Sequence, residues 1–403
     1  MSKQKKKKGF KHWVGKAHLV LGLTSGLIVL LLGVTGCIFV FNQEITNALR
    51  EDAIYVKEVI PTPVPVSQLW KQAQEQIGDS LTITNVTVYN DPKQSVVFHC
   101  YKFGGENLFY YDNIDQYVSV FTNQYTGKVL KVYDEELDFF VFIKALHWSL
   151  LMKDSVGQVI TGWATFIFVI MLISGIILWW PKNKVARKQR LWFQWKDTTK
   201  WRRKNYDLHN IFGFYIATVA LIIAFTGMVW AFQWFYATVY VVASGSTTPP
   251  EQLASKSVIA KTDKDAAYDL AFTNAMKRHA GADSFSSGKP ADSLAPIDIY
   301  VGQNAGTYWK SHQVQCDQYT GKFIAERLHS DKNFGEQLLT ANYDIHVGAI
   351  LGIPGKILAF IASFISAMLP VTGFLIWRGR VKKSPKNVPS KRVDSLNTSY
   401  LKR

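Results

Sequence analysis

Residues 16–41 read KAHLVLGLTSGLIVLLLGVTGCIFVF. From Ala17 to Phe41 there is no acidic or basic side chain, and such a run is long enough to cross a bilayer, which takes about 20 apolar residues in a helix. His18 opens it, Gly22 stands four residues on, and Thr35-Gly36 is reached seventeen after the histidine. The landmarks recur in the apolar run from Ile211 to Tyr236. His209 precedes it, Gly213 stands four on, and Thr226-Gly227 falls at the same seventeen. Two further runs, Gly157 to Trp180 and Gly352 to Trp377, make a second matched pair. His147 precedes Gly157 by ten and Gly175 by 28; His346 precedes Gly355 by nine and Gly373 by 27. No run has a charge in its middle, and Lys356 sits near an end of the last.

The polar segments between the runs repeat as well. Gln124-Tyr125-Thr126-Gly127-Lys128 returns as Gln318-Tyr319-Thr320-Gly321-Lys322. The landmarks recur at an offset of about 190 to 200 residues, and such self-similarity is the mark of an internal repeat. The expected fold class is a membrane protein, mainly α with α+β parts outside the bilayer. It is a bundle of four spanning helices built as two helix–outer domain–helix halves, related by an axis along the membrane normal. The expected divisions are a basic tail (1–16), a first span (17–41), a first outer domain (42–146), and a second span with its preceding histidine segment (147–180). A basic loop (181–207), a third span (208–236), a second outer domain (237–345), a fourth span with its histidine segment (346–377) and a basic tail (378–403) complete them.

Charge gives the orientation. The chain has 403 residues, 48% of them apolar, with a formal net charge of +16 and three Cys. That composition excludes a disordered chain and a disulfide scaffold. Of the 46 Lys and Arg, 26 lie before the first span, in the 181–208 loop and after Trp377, opposed there by only Asp197, Asp207 and Asp394. Basic residues gathered in short segments beside membrane ends are the positive-inside pattern. Both termini and the loop are therefore expected on the cytoplasmic side of a bacterial inner membrane, with both large segments outside. Lipid is the expected partner of this charge and nucleic acid is not, since no recognition element accompanies it. Val34-Thr35-Gly36-Cys37 resembles a lipoprotein cleavage site. However, the apolar run continues past Cys37, and the repeat aligns Cys37 with Met228 deep inside a span.

His18 and His209 begin outgoing helices; His147 and His346 precede incoming ones. One pair thus belongs to each membrane face, and a histidine at such a position suggests function. Zinc wants three or four protein ligands, and no cysteine or carboxylate recurs beside these histidines. Two axial imidazoles complete a b-type haem, so the expected cofactors are two haems b with His18/His209 and His147/His346 as iron ligands. Gly22, Gly213, Gly36, Gly227, Gly175 and Gly373 are expected where helix backbones approach the flat macrocycle. No Cys-x-x-Cys-His occurs, which excludes c-type attachment. Tryptophans such as Trp13, Trp148, Trp179, Trp180 and Trp234 read as interfacial anchors. His12, His99, His279, His312 and His329 have no matched partners and read as ordinary surface or core residues.

Several of these motifs resemble the PepSY-associated transmembrane proteins, a family that includes inner-membrane ferric-siderophore reductases. The resembling residues are Lys16-Ala17-His18-Leu19 with Gly22, Asp207-Leu208-His209 with Gly213, Leu146-His147-Trp148-Ser149-Leu150, and Ile345-His346-Val347-Gly348 with Gly352 and Gly355. The Tyr-Thr-Gly-Lys repeats look like the closing hairpin of PepSY modules, and the likeness runs from Lys16 to Arg380. In the first outer segment no arginine precedes the histidine region, where Lys144 stands instead. The resemblance implies four helices, two haems b, and electron transfer from a cytoplasmic donor such as a flavoprotein to an external iron complex, a ferric siderophore. Two other readings stand beside it: a non-enzymatic regulator whose PepSY modules bind peptides, and a permease. Four spans without a midplane charge speak against the permease.

Within the outer segments, Val66 to Ile77 and Asp263 to Lys277 have helical apolar spacing. Thr82 to Tyr89, Ser95 to Phe103, Leu108 to Tyr111 and Tyr117 to Phe121 read as strands. Thr126-Gly127 and Thr320-Gly321 suit tight turns, and antiparallel sheet with a covering helix is the expected product. Pro61 to Pro65 and the stretch from Ser244 read as linkers. Cys100 and Cys316 both lie in oxidising territory, where a bond between them is open.

Overall fold

The computed structural model describes residues 9–181, 183–304 and 306–381; the lysine run Lys5 to Lys8, Lys182 and the basic tail beyond 381 lie outside the described residues. The first apolar run is helix α1 (Phe10–Phe39). After a break at Val40 come the short helices α2 (Asn42–Leu49) and α3 (Glu51–Ile54). Pro65 precedes α4 (Val66–Ile77), whose bounds are those that the apolar spacing predicts. Strands β1 (Asn85–Tyr89), β2 (Val96–Phe103), β3 (Ile114–Thr122) and β4 (Val129–Asp134) follow. Helix α5 (Phe139–Ser149) then leads into α6 (Asp154–Trp179).

The second half opens after α7 (Lys184–Leu191) with α8 (Trp201–Ala231), which begins ten residues before the apolar run does. Its polar first turns are held down by Asp207, which accepts from Trp195 Nε1 (3.1 Å) and Arg203 Nε (2.9 Å). The expected span to Tyr236 is interrupted: Phe232 adopts an extended conformation and the chain turns into α9 (Gln233–Ser244). Helix α10 (Lys264–Arg278) carries Asp263 as its N-cap, accepting from the Asp265 and Ala266 N–H groups. Strands β5 (Ser284–Gly288), β6 (Ile297–Gly302), β7 (Ser311–Cys316) and β8 (Phe323–Arg327) precede α11 (Phe334–Thr340), α12 (Asn342–His346) and α13 (Gly352–Val381).

Four of these helices, α1, α6, α8 and α13, are long and apolar enough to cross a membrane. They pack in a ring: α1 touches α13 and α6, and α8 touches the same two. Helices α1 and α8 therefore face one another across a diagonal, each with one partner from its own half and one from the other. Leu172, Ile216, Ala220, Ala362 and Ile365 fill the middle of the ring.

The two intervening segments do not stand apart. All eight strands form one antiparallel sheet in the order β4-β3-β2-β1-β5-β6-β7-β8. Each segment supplies a four-stranded meander, and the meanders meet where β1 pairs with β5, from Asn85 opposite Gly288 to Tyr89 opposite Ser284. Helices α4 and α10 cover one face over a shared core that includes Phe98, Phe272 and Phe285, each at most 1% exposed. Burying one such side chain is worth about 1.5–3 kcal/mol. Trp70 of α4 makes edge contacts with both Phe98 and Tyr268, which stitches the halves together above the seam. The Thr-Gly repeats make the tight turns: Gly127 and Gly321 take φ of 69° and 64°.

One further expectation needs correction, and one open question is answered. Leu108 to Tyr111 is not a strand. Asn113 draws this loop in by donating to the Asn107 and Phe109 carbonyls, leaving a single bridge from Phe109 to Met152. Cys100 and Cys316 are free and buried on β2 and β7. Four strand steps separate them, roughly 19 Å, too far for a disulfide.

Candidate functional site

Two sharp corners place two of the four histidines. Helix α5 starts at Asp138, whose carboxylate accepts from the Phe140 and Val141 N–H groups. Arg50 grips Asp138 (2.9 Å) and Glu135 (2.6 Å), tying the start of α5 to the turn after α2. The helix ends in Leu150 and Leu151, both left-handed at φ 55° and 61°, a conformation that costs a non-glycine residue roughly 1–2 kcal/mol. The strain folds α5 down over the first turns of α6. Gly157 admits it, because a Cβ there would lie 1.8 Å from the Ser149 carbonyl oxygen. The second half reaches the same arrangement with Gly348, at φ 77°, and Gly355, whose Cβ would lie 2.1 Å from the Gly348 oxygen. His147 and His346 are thereby laid against the sheet-side ends of α1 and α8.

All four histidines then meet the same seat. His147 Nδ1 lies 2.8 Å from Thr35 Oγ1 and His346 Nδ1 lies 2.8 Å from Thr226 Oγ1. At the far end of the bundle, His18 Nδ1 lies 2.8 Å from Ser174 Oγ and His209 Nδ1 lies 2.9 Å from Thr372 Oγ1. The residue after each hydroxyl is a glycine that the imidazole edge rests on. A Cβ at Gly36, Gly227, Gly175 or Gly373 would stand 3.6, 3.6, 3.5 or 3.3 Å from Cε1 of His147, His346, His18 or His209 respectively. These four glycines, expected beside a macrocycle, thus seat the imidazoles themselves. Gly22 and Gly213 instead face the side chains of Met171 (2.8 Å) and Leu369 (3.3 Å).

The tautomer follows from the network. A hydroxyl has one hydrogen, and each of these sends it to a carbonyl of its own helix: Thr35 to Leu31 (2.8 Å), Thr226 to Ile223 (2.7 Å), Ser174 to Met171 (3.1 Å) and Thr372 to Met368 (3.0 Å). With its hydrogen in that bond the hydroxyl oxygen would accept from the imidazole, the arrangement that places the proton on Nδ1. The Ile223 carbonyl, 3.1 Å from His346 Nδ1, requires the same. Nε2 is left as the lone-pair nitrogen, with no protein partner among the described residues, and none of the four is sealed off as a buried orphan. A neutral imidazole with Nδ1–H held and Nε2 open is the form that binds a metal.

The pairs cross between halves. His147 and His346 have ring centroids 6.1 Å apart with planes at 73°. Two imidazoles bound on opposite sides of one metal at about 2 Å per bond have centroids roughly 6 Å apart. His18 and His209 project from the diagonal helices α1 and α8 at the other end of the bundle, each on its own hydroxyl–glycine seat. No group of three or more His, Cys, Asp or Glu side chains that could hold a bare ion occurs among the described residues. Two-imidazole pairs suit a metal whose remaining ligands come from a macrocycle. The residues present therefore fit two bis-histidine haems.

A family model described as PepSY-associated TM region matches residues 16–380. The chain belongs to this family. No curated protein matches it. The PepSY-associated TM assignment accords with four membrane-spanning helices and an α+β region in one multi-pass membrane protein.

Sequence reasoning had Thr35 and Thr226 as landmarks and passed over Ser174 and Thr372. The signal was present: a hydroxyl residue precedes the last glycine in all four spans. It also passed over Trp230, whose ring lies 5.2 Å from that of His346 and 5.8 Å from that of Trp148. His279 and His312, on the second outer segment, have ring centroids 5.0 Å apart at a tilt of 34°, with His279 Nε2 3.2 Å from Glu326.

Proposed function

We propose that this PepSY-associated TM protein carries electrons across the membrane through two b-type haems, each gripped by one histidine from either half. The observation that carries the reading is the pairing of His147 with His346, ring centroids 6.1 Å apart and both Nδ1 atoms tied back, so that these two residues would hold one haem between the halves. When bound, the haems supply one-electron chemistry. The chain's own share is to bind, orient and shield. The hydroxyl–glycine seats fix the imidazoles, and the apolar ring around Leu172, Ile216 and Ala362 keeps water from the space between the two levels.

On this reading the His18/His209 end lies at the cytoplasmic face of a bacterial inner membrane and the sheet outside, an orientation that the positive-inside bias of the basic segments supports. The mirrored meanders and the fourfold seat favour an internal duplication. The donor is then a cytoplasmic reductant such as a flavoprotein, and the acceptor an extracytoplasmic ferric chelate of siderophore type. Reduction to ferrous iron weakens its binding to hard oxygen donors and releases it. A cavity of about 460 Å³, lined in part by Ser286, Tyr300, Arg327 and Lys332, offers the acceptor a place. From Tyr300, contacts run through Tyr308, Tyr343 and Trp230 to His346.

A reduced-minus-oxidised absorption spectrum of the purified protein tests the cofactor, and ferric-chelate reduction in sealed vesicles of known orientation tests the activity. A two-haem signal with chelate reduction on the sheet side is expected. A protein without any haem band would leave a peptide-binding regulator as the better account.

A further inference from the structure

We infer that Ser174, Thr372, Thr35 and Thr226 are positioning residues: by holding the proton on Nδ1, they select the metal-binding tautomer of each histidine and set how strongly it donates. The inference rests on the haem reading for its consequence, though the tautomer itself is a property of the chain alone.

Serine and threonine in membrane helices ordinarily bond back to a carbonyl three or four residues earlier and do nothing more. Several here behave that way. Thr24 bonds only to the Val20 and Leu21 carbonyls, and Ser25 only to that of Leu21. The four seat residues make the same back-bond and in addition meet an imidazole at 2.8–2.9 Å. The back-bond has a second consequence, because it removes the hydroxyl's ability to donate and makes it an obligate acceptor. An apolar helix thus presents, at one point on its inner face, a fixed acceptor for N–H. The glycine that follows lets the ring approach close enough to use it.

An acceptor on Nδ1–H pushes electron density toward Nε2 and strengthens it as a ligand, which favours the more oxidised metal. A neutral hydroxyl does this less than a carboxylate would, and it spares the membrane a buried charge. Each metal has two such seats, one from each half. The two centres therefore tune independently: Thr35 and Thr226 act at the sheet side, Ser174 and Thr372 at the far end.

Two measurements on the full-length protein in detergent separate the inference from the haem reading. The first is nitrogen NMR of ¹⁵N-histidine-labelled protein prepared without haem. Four part-buried imidazoles protonated at Nδ1 are expected, and Ser174→Ala, which removes the one acceptor at His18 Nδ1, should move that ring toward the Nε2–H form while Ser174→Thr leaves it in place. The second is a redox titration of the haem-loaded protein, with the two waves assigned through His147→Ala and His18→Ala. Thr35→Val and Thr226→Val should raise the sheet-side potential alone, and Ser174→Ala and Thr372→Val the other alone. Haem retention at the affected centre should weaken about 10- to 100-fold. The serine variants of the three threonines should restore both, and Thr24→Val should change neither. Unshifted potentials in a protein that still holds two haems would overturn the inference and spare the haem reading. An absence of haem with Nδ1-protonated histidines would do the reverse. Nε2-protonated histidines in the parent protein would end the inference outright.

Discussion

A polar side chain inside an apolar helix bundle costs free energy unless its atoms find partners. At the four histidines one ring nitrogen meets a hydroxyl and the other has no protein partner among the described residues, the arrangement from which the haem proposal starts. His147→Ala or His346→Ala should remove the sheet-side haem and stop external reduction while the far-end haem still accepts electrons, as read from the spectrum and the vesicle assay. Unimpaired external reduction in either variant would count against the assignment. The glycine seats should be graded by their clearance. Gly373→Ala, with 3.3 Å to its imidazole, should disturb haem binding more than Gly175→Ala at 3.5 Å or Gly227→Ala at 3.6 Å. Equal spectra for all three would show that the ring does not rest where the geometry puts it. The histidines and their glycines were legible in the sequence because they recur at fixed spacing. Ser174 and Thr372 were not singled out, because a serine or threonine in a span is common and only its neighbour across the bundle gives it a role.

Among the elements, the corners before α6 and α13 do the positioning. The two halves solve the same problem with different residues: left-handed Leu150 and Leu151 in one, Gly348 in the other. Gly157→Ala and Gly355→Ala would each set a methyl group within about 2 Å of a backbone oxygen. Each should therefore displace its histidine helix and lose the sheet-side haem, with the far-end haem intact. Arg50 joins this machinery from a distance. Its side chain is 11% exposed and that of Glu135 is 12%, and removing Arg50 leaves the part-buried carboxylates of Glu135 and Asp138 without their cation. Arg50→Met should lower the melting temperature and loosen the sheet-side haem before the other; a variant as stable as the parent would remove Arg50 from the account. Sequence reasoning found α4 and α10 nearly residue for residue, since amphipathic spacing is a local property. It overran α8 at Phe232 and made a strand of Leu108 to Tyr111. There the deciding contacts, such as Asn113 on the 107–109 backbone, belong to loop closure and not to periodicity.

For the whole molecule, the halves are joined at three levels: the β1–β5 seam, the ring of spanning helices, and the histidine pairs. One covalent link that the sequence left open is absent. Cys100 and Cys316 lie in the shared core, and burial pushes both thiols up to about 11. Mild oxidant should therefore produce no intramolecular bond, and alkylating reagents should reach these thiols only on unfolding. A faster-migrating oxidised band on a non-reducing gel would contradict the sheet order.

The apolar runs, the asymmetry of charge and the spacing of histidine to glycine are written along the chain, so the number of spans and the two-part plan follow from sequence alone. Hydropathy and repetition act over tens of residues and need no fold to be read. Which histidine faces which, which nitrogen each leaves open, and whether the intervening segments form two sheets or one were decided only by tertiary structure. His147 meets Thr35 across 112 residues and His346 meets Thr226 across 120. Contacts at such separations arise from the packing of helices whose local sequences, taken singly, allow many neighbours.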